Sequence, residues 1–435
     1  MKISSNDIWT IENINTDEIY LTKIDPNGTG SLSLNRKNDS TIGTNSVALG
    51  IDTTASGNYS IAEGKETTAS GESAHAEGVS TTASKIGAHA EGYKTNASGN
   101  YSHAEGYVTT ASGTYSHAEG AYAAASRPYS HAEGYNTKVT SSTTATPLIA
   151  STTDAGYYGH VEGYGTVSYG LASHAEGNGT FAKGLASHSE GRSTAASGYA
   201  SHAEGNNTTA SGNYSHAEGG YFTPEEGEDP VYNTASGDCS HVEGASNTAS
   251  GLVSHAEGGS TTASGSYSHA EGLSTTASGP YSHAEGCETT SLGKYSHTEG
   301  RNTKVTTIDT DQPSTSSSAD AGHYGHAEGY GTISYGTASH AEGMGTSAKG
   351  RCSHAEGSST TASGYYSHAE GGSTTASGYY SHAEGYSTTA STHYSHAENV
   401  NTKATGTASH AEGDSTTASG GTSHAEGSNT IAYGY

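Results

Sequence analysis

Tyr101–Gly120 reads YSHAEGYVTTASGTYSHAEG, and the five letters SHAEG return after 14 residues. Once, a histidine two residues before a glutamate is a candidate for chemistry. Here the pair occurs 23 times, from His75/Glu77 to His424/Glu426. A typical unit, S-H-A-E-G-x-x-T-T-A-S-G-x-Y, divides into two halves of seven that each end near a glycine. Both halves are strand candidates with alternating faces, and each glycine is expected to supply a turn. Fourteen residues are too few for a helix-containing repeat. The expectation is an all-β parallel β-roll, or solenoid, with two short strands and two tight turns per coil. Stacked about 4.8 Å apart, some 25 coils would form a rod on the order of 120 Å long.

Three interruptions test this period. His131 to His160 spans 29 residues, His216 to His241 spans 25 and His297 to His326 spans 29. Aligning the flanks assigns insertions of 15, 11 and 15 residues to 138–152, 223–233 and 304–318. Their ends, Lys138 and Thr152, Thr223 and Asn233, Lys304 and Ser318, mark candidate display loops. All three are expected to leave the coil at one point, after Thr137, Phe222 and Thr303, and to emerge from one edge. Repeat proteins place recognition loops in such positions. Residues 1–40 stand apart, with the single tryptophan and spaced apolar residues, and are expected to cap or dock the roll. Residues 41–435 form the repeat domain.

Composition agrees with a thin, repetitive fold. Only 30% of the 435 residues are hydrophobic, with 61 glycines and two phenylalanines, too few large side chains to fill ordinary cores. Thirty-one tyrosines and a strict period argue against a disordered, solvating chain. The formal net charge of −27 disfavours nucleic acid and anionic membranes as partners. Cys239, Cys287 and Cys352 are widely spaced and odd in number, so no disulfide framework or CxxC metal knuckle is expected. The first twenty residues lack an apolar core of signal-peptide length, and no later stretch is apolar enough to insert in a bilayer. A virion tail or an extracellular surface is the expected location.

The ladder of His75, Glu77, His103, Glu105, His117, Glu119, His131, Glu133, His202, Glu204 and their equivalents shares one strand face, whereas Ser102 and Ala104 share the other. The first coils carry Val47, Leu49 and Ile61 at the same phases. Apolar residues there predict that the ladder faces inward, either into the coil or towards a partner chain; a solvent-facing ladder, with alanine and serine forming a tight interior, is the alternative. A sheltered column of carboxylates needs partners, and the histidines and tyrosine hydroxyls supply them. The neighbouring carboxylates are expected to raise the histidine pKa values, so that melting is higher near pH 6 than near pH 9.

NSVALG at Asn45–Gly50, followed by the 14-residue period with paired glycines, resembles the head repeats of YadA-like trimeric autotransporter adhesins. That resemblance implies a left-handed parallel β-roll and a side-by-side homotrimer, with Val47 and Leu49, then Ile61 and Glu63, then His75 and Glu77, as the inward pairs. The histidine-rich variant also looks like repeats of phage tail or appendage proteins of Gram-positive bacteria. Together these give the expected role: a rigid trimeric fibre or adhesin-like rod displaying attachment loops to a surface glycan or protein receptor. A purely structural spacer or surface appendage is the alternative.

Other chemistries fit less well. An enzyme needs one site with unequal, tuned groups, and a ladder of near-identical pairs offers none, so no catalytic or cofactor-binding residue is assigned. Histidine and glutamate are competent metal ligands, but a specific centre needs distinct ligands at defined points, and no metal site is assigned either. The calcium-binding G-G-x-G-x-D signature is absent. The threonines of TTASG are adjacent rather than alternate, which ranks an ice-binding surface lower still.

Overall fold

The computed structural model describes residues 31–36, 40–140, 156–220, 232–306 and 322–434. Every regular element among them is a β-strand. The chain divides into two units, 1–214 and 215–435. In the first, a long strand such as His103–Tyr107 alternates with a short one such as Thr110–Ala111. The second repeats the arrangement, as at His269–Leu273 and Thr276–Ala277. Long strands pair in parallel with the long strands of adjacent coils, and short strands with short. The register is exact repetition: His103↔His117↔His131 and Glu105↔Glu119↔Glu133 in one sheet, Thr110↔Ala124 and Ala111↔Ala125 in the other. The fold is therefore an all-β parallel solenoid of 14-residue coils.

The space between the two sheets is narrow, and size decides what enters it. Ala104 and Ala111 are fully buried, as are their equivalents along both units. Ser102 and Thr109 join them. Ser116 Oγ donates to the Gly113 carbonyl at 2.7 Å and Ser102 Oγ to that of Gly99 at 2.8 Å, so the buried hydroxyls close the turn that precedes each long strand. Some coils admit a larger group: Val161 and Val242 are fully buried at the alanine position of long strands. Val139 and Val305 are fully buried at the alanine position of their short strands. In both cases the next turn carries glycine where serine is usual, at Gly159 and Gly325. A Cβ on Gly159 would stand 2.7 Å from Val139 Cγ1, and one on Gly325 2.8 Å from Val305 Cγ1.

The two glycines of a coil do different tasks: Gly106 takes positive φ, at 106°, as expected, whereas Gly113 does not. The left-handed turn residues are mostly not glycine: Val108 has φ 56° and Tyr115 φ 59°, and each coil has a similar pair. The stack holds them there, because Val108 N–H donates to Tyr93 O and Tyr115 N–H to Asn100 O, both at 2.8 Å, one coil before. Gly113 instead answers to close approach, since a Cβ there would collide with the Arg127 carbonyl of the next coil.

Strand pairing also moves the expected boundaries. Lys138 and Val139 form a short strand in register with Ala124 and Ala125, and Lys304 and Val305 pair with Thr290 and Ser291. The first interrupted coil is thus 131–140 with 156–159, and the third 297–306 with 322–325. Asn233, expected at the end of the middle insertion, is buried at the start of the strand Asn233–Ala235. That coil comprises 216–220 and 232–240. The first and third interruptions follow a short strand, whereas the middle one follows a long strand, at the opposite turn. One common edge is therefore not what the strands produce. Sequence alignment could slide the insertion by a few residues because both frames keep the period; hydrogen-bond register removes that freedom. Thr152, Thr223 and Ser318 lie outside the described residues.

The parallel register also reaches into the segment expected as a separate cap, because Leu32–Arg36 pairs with Val47–Ala55 (Leu32↔Val47, Leu34↔Leu49). The rest of that segment, 1–30 and 37–39, lies outside the described residues.

Candidate functional site

Each long strand turns its alanine into the coil and its histidine and glutamate outward. Of the two sheltered places open to the ladder, the coil interior is occupied by Ala, Ser and Thr, so the ladder forms the outer face of the long-strand sheet. His103 and Glu105 side chains keep 35% and 41% of their accessible surface, which leaves the face half-covered within one chain. His75/Glu77, His117/Glu119 and His131/Glu133 lie in the same columns, and His202 continues the first unit's histidine column beside His188. Glu204 belongs to the same coil, with its backbone carbonyl accepting from Thr208 Oγ1 at 2.9 Å. Val47 and Ile61 head the histidine column and Leu49 the glutamate column. Val47 and Leu49 are half-buried and Ile61 is exposed.

In-register stacking brings the imidazoles face to face. Ring centroids of His75, His89, His103 and His117 follow one another at 4.6–4.7 Å with planes within 3°. The second unit has the same column, for example His241, His255 and His269 at 4.8 Å. Exposed tyrosines border the face on both sides. Tyr101, Tyr115, Tyr129 and Tyr158 stack at 5.1–5.3 Å in the turn before the ladder, and Tyr93 and Tyr107 stack at 5.2 Å after it.

The carboxylates reach the imidazoles without closing on them. His103 Nε2 lies 3.6 Å from Glu105 Oε2, and the corresponding distances at His117/Glu119 and His174/Glu176 are 3.9 and 3.6 Å. In part of the second unit the glutamate leans to the following coil, placing His269 Nε2 3.3 Å from Glu257 Oε1. Glu398 touches both neighbours, with Oε2 3.8 Å from His396 Nε2 and Oε1 3.5 Å from His410 Nε2. The Nε2 atoms of His75, His89, His103, His117 and His131 are shielded from solvent and have no hydrogen-bond partner in the chain.

The electrostatic expectation is corrected by this geometry. Burial, and then the charge of neighbouring imidazoles, hold His103, His131 and His174 below the ordinary histidine pKa. His255, His340 and His368 are lowered for the same reasons. The carboxylates pull upward but do not prevail, because each of these six imidazoles has imidazole neighbours above and below at 5 Å or less while its carboxylates stay beyond hydrogen-bond contact. In-register stacking of histidine on histidine is what a 14-residue repeat with no offset predicts, and it is present; sequence reasoning weighed each histidine's own glutamate above those stacked neighbours.

One further feature was not singled out. Asn233 and Asn247 replace the buried threonine in consecutive coils and form an amide ladder. Asn233 Oδ1 accepts from Asn247 N–H at 2.8 Å, and Asn247 Oδ1 from Thr261 N–H at 2.7 Å, while Asn247 Nδ2 donates to Gly258 O at 2.9 Å. Cys239, Cys287 and Cys352 are free, and the first and last are exposed.

Comparison with known families finds the YadA head domain repeat (2 copies) at residues 42–67, 62–84, 189–215, 355–381 and 411–435. A YadA-like head repeat region is present. Each matched window covers about two coils, and the windows fall in both units. YadA-head repeats are structural, non-catalytic domains, so the ladder is not the active site of an enzyme. No curated protein sequence matches the chain. Among the described residues no helix is long and apolar enough to cross a membrane.

Proposed function

We propose that this chain is the shaft of a homotrimeric, left-handed β-roll fibre, extracellular or on a virion tail, whose interrupted coils carry surface-attachment segments. The observation that supports the trimer most directly is the outer face of the long-strand sheet. It is regular along each unit, bordered by exposed tyrosines, and lined by Nε2 atoms that are screened from water yet unpartnered. Buried polar atoms without partners are costly in a finished structure. A second and third copy would cover the face and offer each imidazole a carboxylate or tyrosine hydroxyl from another chain. The column that begins with Val47 and Ile61 and continues as histidine fits the same use, since an uncovered face gains nothing from apolar residues there.

Multi-angle light scattering at neutral pH tests the assembly. The expected mass is three times the 43.9 kDa of the chain; a monodisperse monomer would refute it. Attachment is tested separately by excising 141–155, 221–231 and 307–321 together, which leaves every interrupted coil with its fourteen residues. Loss of binding to a glycan array or to cells, with trimer mass retained, is the expected result. Unchanged binding would favour a spacer whose insertions recognise nothing.

A further inference from the structure

The spacing of imidazole and carboxylate along the ladder is unlike that of a finished ion pair. Nε2 to Oε2 is 3.6 Å at His75/Glu77, His103/Glu105 and His174/Glu176. A charge-assisted N–H···O bond closes to about 2.7–2.9 Å. A bridging water, making two bonds of about 2.8 Å at its own tetrahedral angle, would hold the two atoms about 4.5 Å apart. The observed separation falls between the two. It is close to the bite of a metal ion: two ligands each about 2.0–2.1 Å from a tetrahedral centre stand about 3.3–3.4 Å apart. That shorter distance is present at His269/Glu257 and His241/Glu218, both 3.3 Å.

The same atoms converge in groups of three. His89, Glu91 and His103 bring one ligand atom each to within 4.8 Å of one another, as do His103, Glu105 and His117, then His117, Glu119 and His131; more such groups of candidate ligands follow in the chain. Because glutamates reach either their own coil's histidine or the next coil's, small rotations of side chains that are already half-exposed select which pair closes.

We propose that the ladder face binds divalent ions of the zinc and nickel class, each held between His Nε2 and a Glu carboxylate oxygen, with the adjacent coil's histidine as a third ligand. The donor set decides the class. One or two imidazoles with a carboxylate suit borderline ions, whereas calcium and magnesium take oxygen ligands almost alone. Neutral imidazole is the form that binds metal, and an imidazole of ordinary pKa, about 6.5, is mostly neutral at pH 7.5. Parallel rings 4.7 Å apart cannot both aim their in-plane lone pairs at one ion, so the third ligand must tilt out of the stack. Two dications one coil apart repel strongly, and filling therefore skips alternate coils, giving on the order of ten ions per chain. The ligands of each site come from one chain, so no partner copy is needed to build a site, although assembly through this face would draw on the same Nε2 atoms.

The test uses the full chain, stripped by chelator and titrated with zinc chloride in a calorimeter at pH 7.5. Cobalt(II) is added in parallel while its visible absorption is recorded. The expected results are several ions per chain at micromolar affinity or tighter, an intensified cobalt band of four- or five-coordinate N/O ligation, and no competition from a tenfold excess of magnesium. At pH 5.5 the affinity should fall at least tenfold. The triple variant H103Q/H117Q/H131Q should lose one or two ions and leave the remaining affinity unchanged, whereas E72Q, outside the ladder, should change nothing. A weak, aqua-like cobalt spectrum in the parent, or a stoichiometry that magnesium abolishes, would overturn the proposal without reference to any variant. Trimer mass measured on the same metal-free samples separates this failure from failure of the assembly.

Discussion

Val139 beside Gly159 and Val305 beside Gly325 read as a traded volume, and the trade can be transplanted to an ordinary coil. Ala111 is fully buried on its short strand, and Ser116 occupies the position that glycine takes at 159. Ala111→Val alone should drive a methyl into the Ser116 side chain, because the equivalent contact at Gly159 would be 2.7 Å. Overpacking of this kind costs about 1–3 kcal/mol. Ser116→Gly alone removes the bond to the Gly113 carbonyl, worth about 1 kcal/mol, and adds about 0.5–1 kcal/mol of glycine entropy. In the double variant the valine enters vacated space and buries apolar surface worth about 0.8 kcal/mol per carbon. Its own effect should then be neutral or slightly stabilising. The cycle should show coupling of about 1–3 kcal/mol in favour of the pair. Urea midpoints of the four proteins measure it, with hydrogen exchange at the His117 amide reporting the local effect where repeats unfold in parts. If valine costs the same in both backgrounds, the glycines at 159 and 325 are there for another reason.

Two further outcomes follow from the side chains that sequence reading misjudged or overlooked. With the folded pKa values of His103, His131 and His255 depressed by burial and by neighbouring imidazoles, their contribution is fully present above the unfolded value of about 6.5 and is lost as pH falls through the folded values. Thermal midpoints should therefore fall between pH 7 and pH 5, and less so in H103Q/H117Q/H131Q; a rise on acidification would show that the carboxylates around these rings, Glu91, Glu105, Glu119 and Glu133 among them, prevail after all. In the amide ladder, Asn247→Ala should cost about 1–3 kcal/mol by stranding Thr261 N–H and Gly258 O. Asn247→Thr, which restores the usual residue, should cost less in the same urea unfolding assay.

The period, the parallel stacking and the two-strand coil were all legible in the spacing of SHAEG and TASG, because a repeat of 14 residues with two glycine-marked halves admits few alternatives. The face was harder. Alternation divides Tyr101–His103–Glu105 from Ser102–Ala104 but does not say which set enters the coil, and polarity misleads because serine and threonine are polar too. Volume settles it: the gap between sheets accepts Ala104, Ser102 and Thr109 and has no room for imidazole. The turns misled for a related reason. Glycine is the usual residue at positive φ, and Gly106 takes it, yet Tyr115 and Val108 take it too, held by hydrogen bonds to the coil before. Those bonds are long-range in sequence and leave no local signature. The boundaries of the insertions were ambiguous for the simplest cause, that a periodic pattern can be cut at more than one phase.

What a perfect register does to the chemistry of a side chain is the larger point. A single histidine beside a glutamate in water is an ordinary pair whose proton the carboxylate helps to retain. Stacked in register, the same histidine acquires an identical ring above and below it, and each proton added makes the next harder to add. The carboxylates, stacked likewise, cannot all lean to one partner without crowding each other, and they divide between own-coil contacts, as at His103/Glu105, and next-coil contacts, as at His269/Glu257. The result is a face with more ligand atoms than closed bonds. Such a face is completed when something meets it: metal ions near neutrality, or the matching faces of other copies. These occupants compete for the same Nε2 atoms, so the ladder of an assembled fibre should take up zinc less readily than the same ladder in a dissociated chain. Zinc titrations of one preparation before and after dissociation by mild denaturant, with refolding checked by circular dichroism, should show more ions bound to the dissociated form. Equal stoichiometry in both would mean that assembly uses a different face.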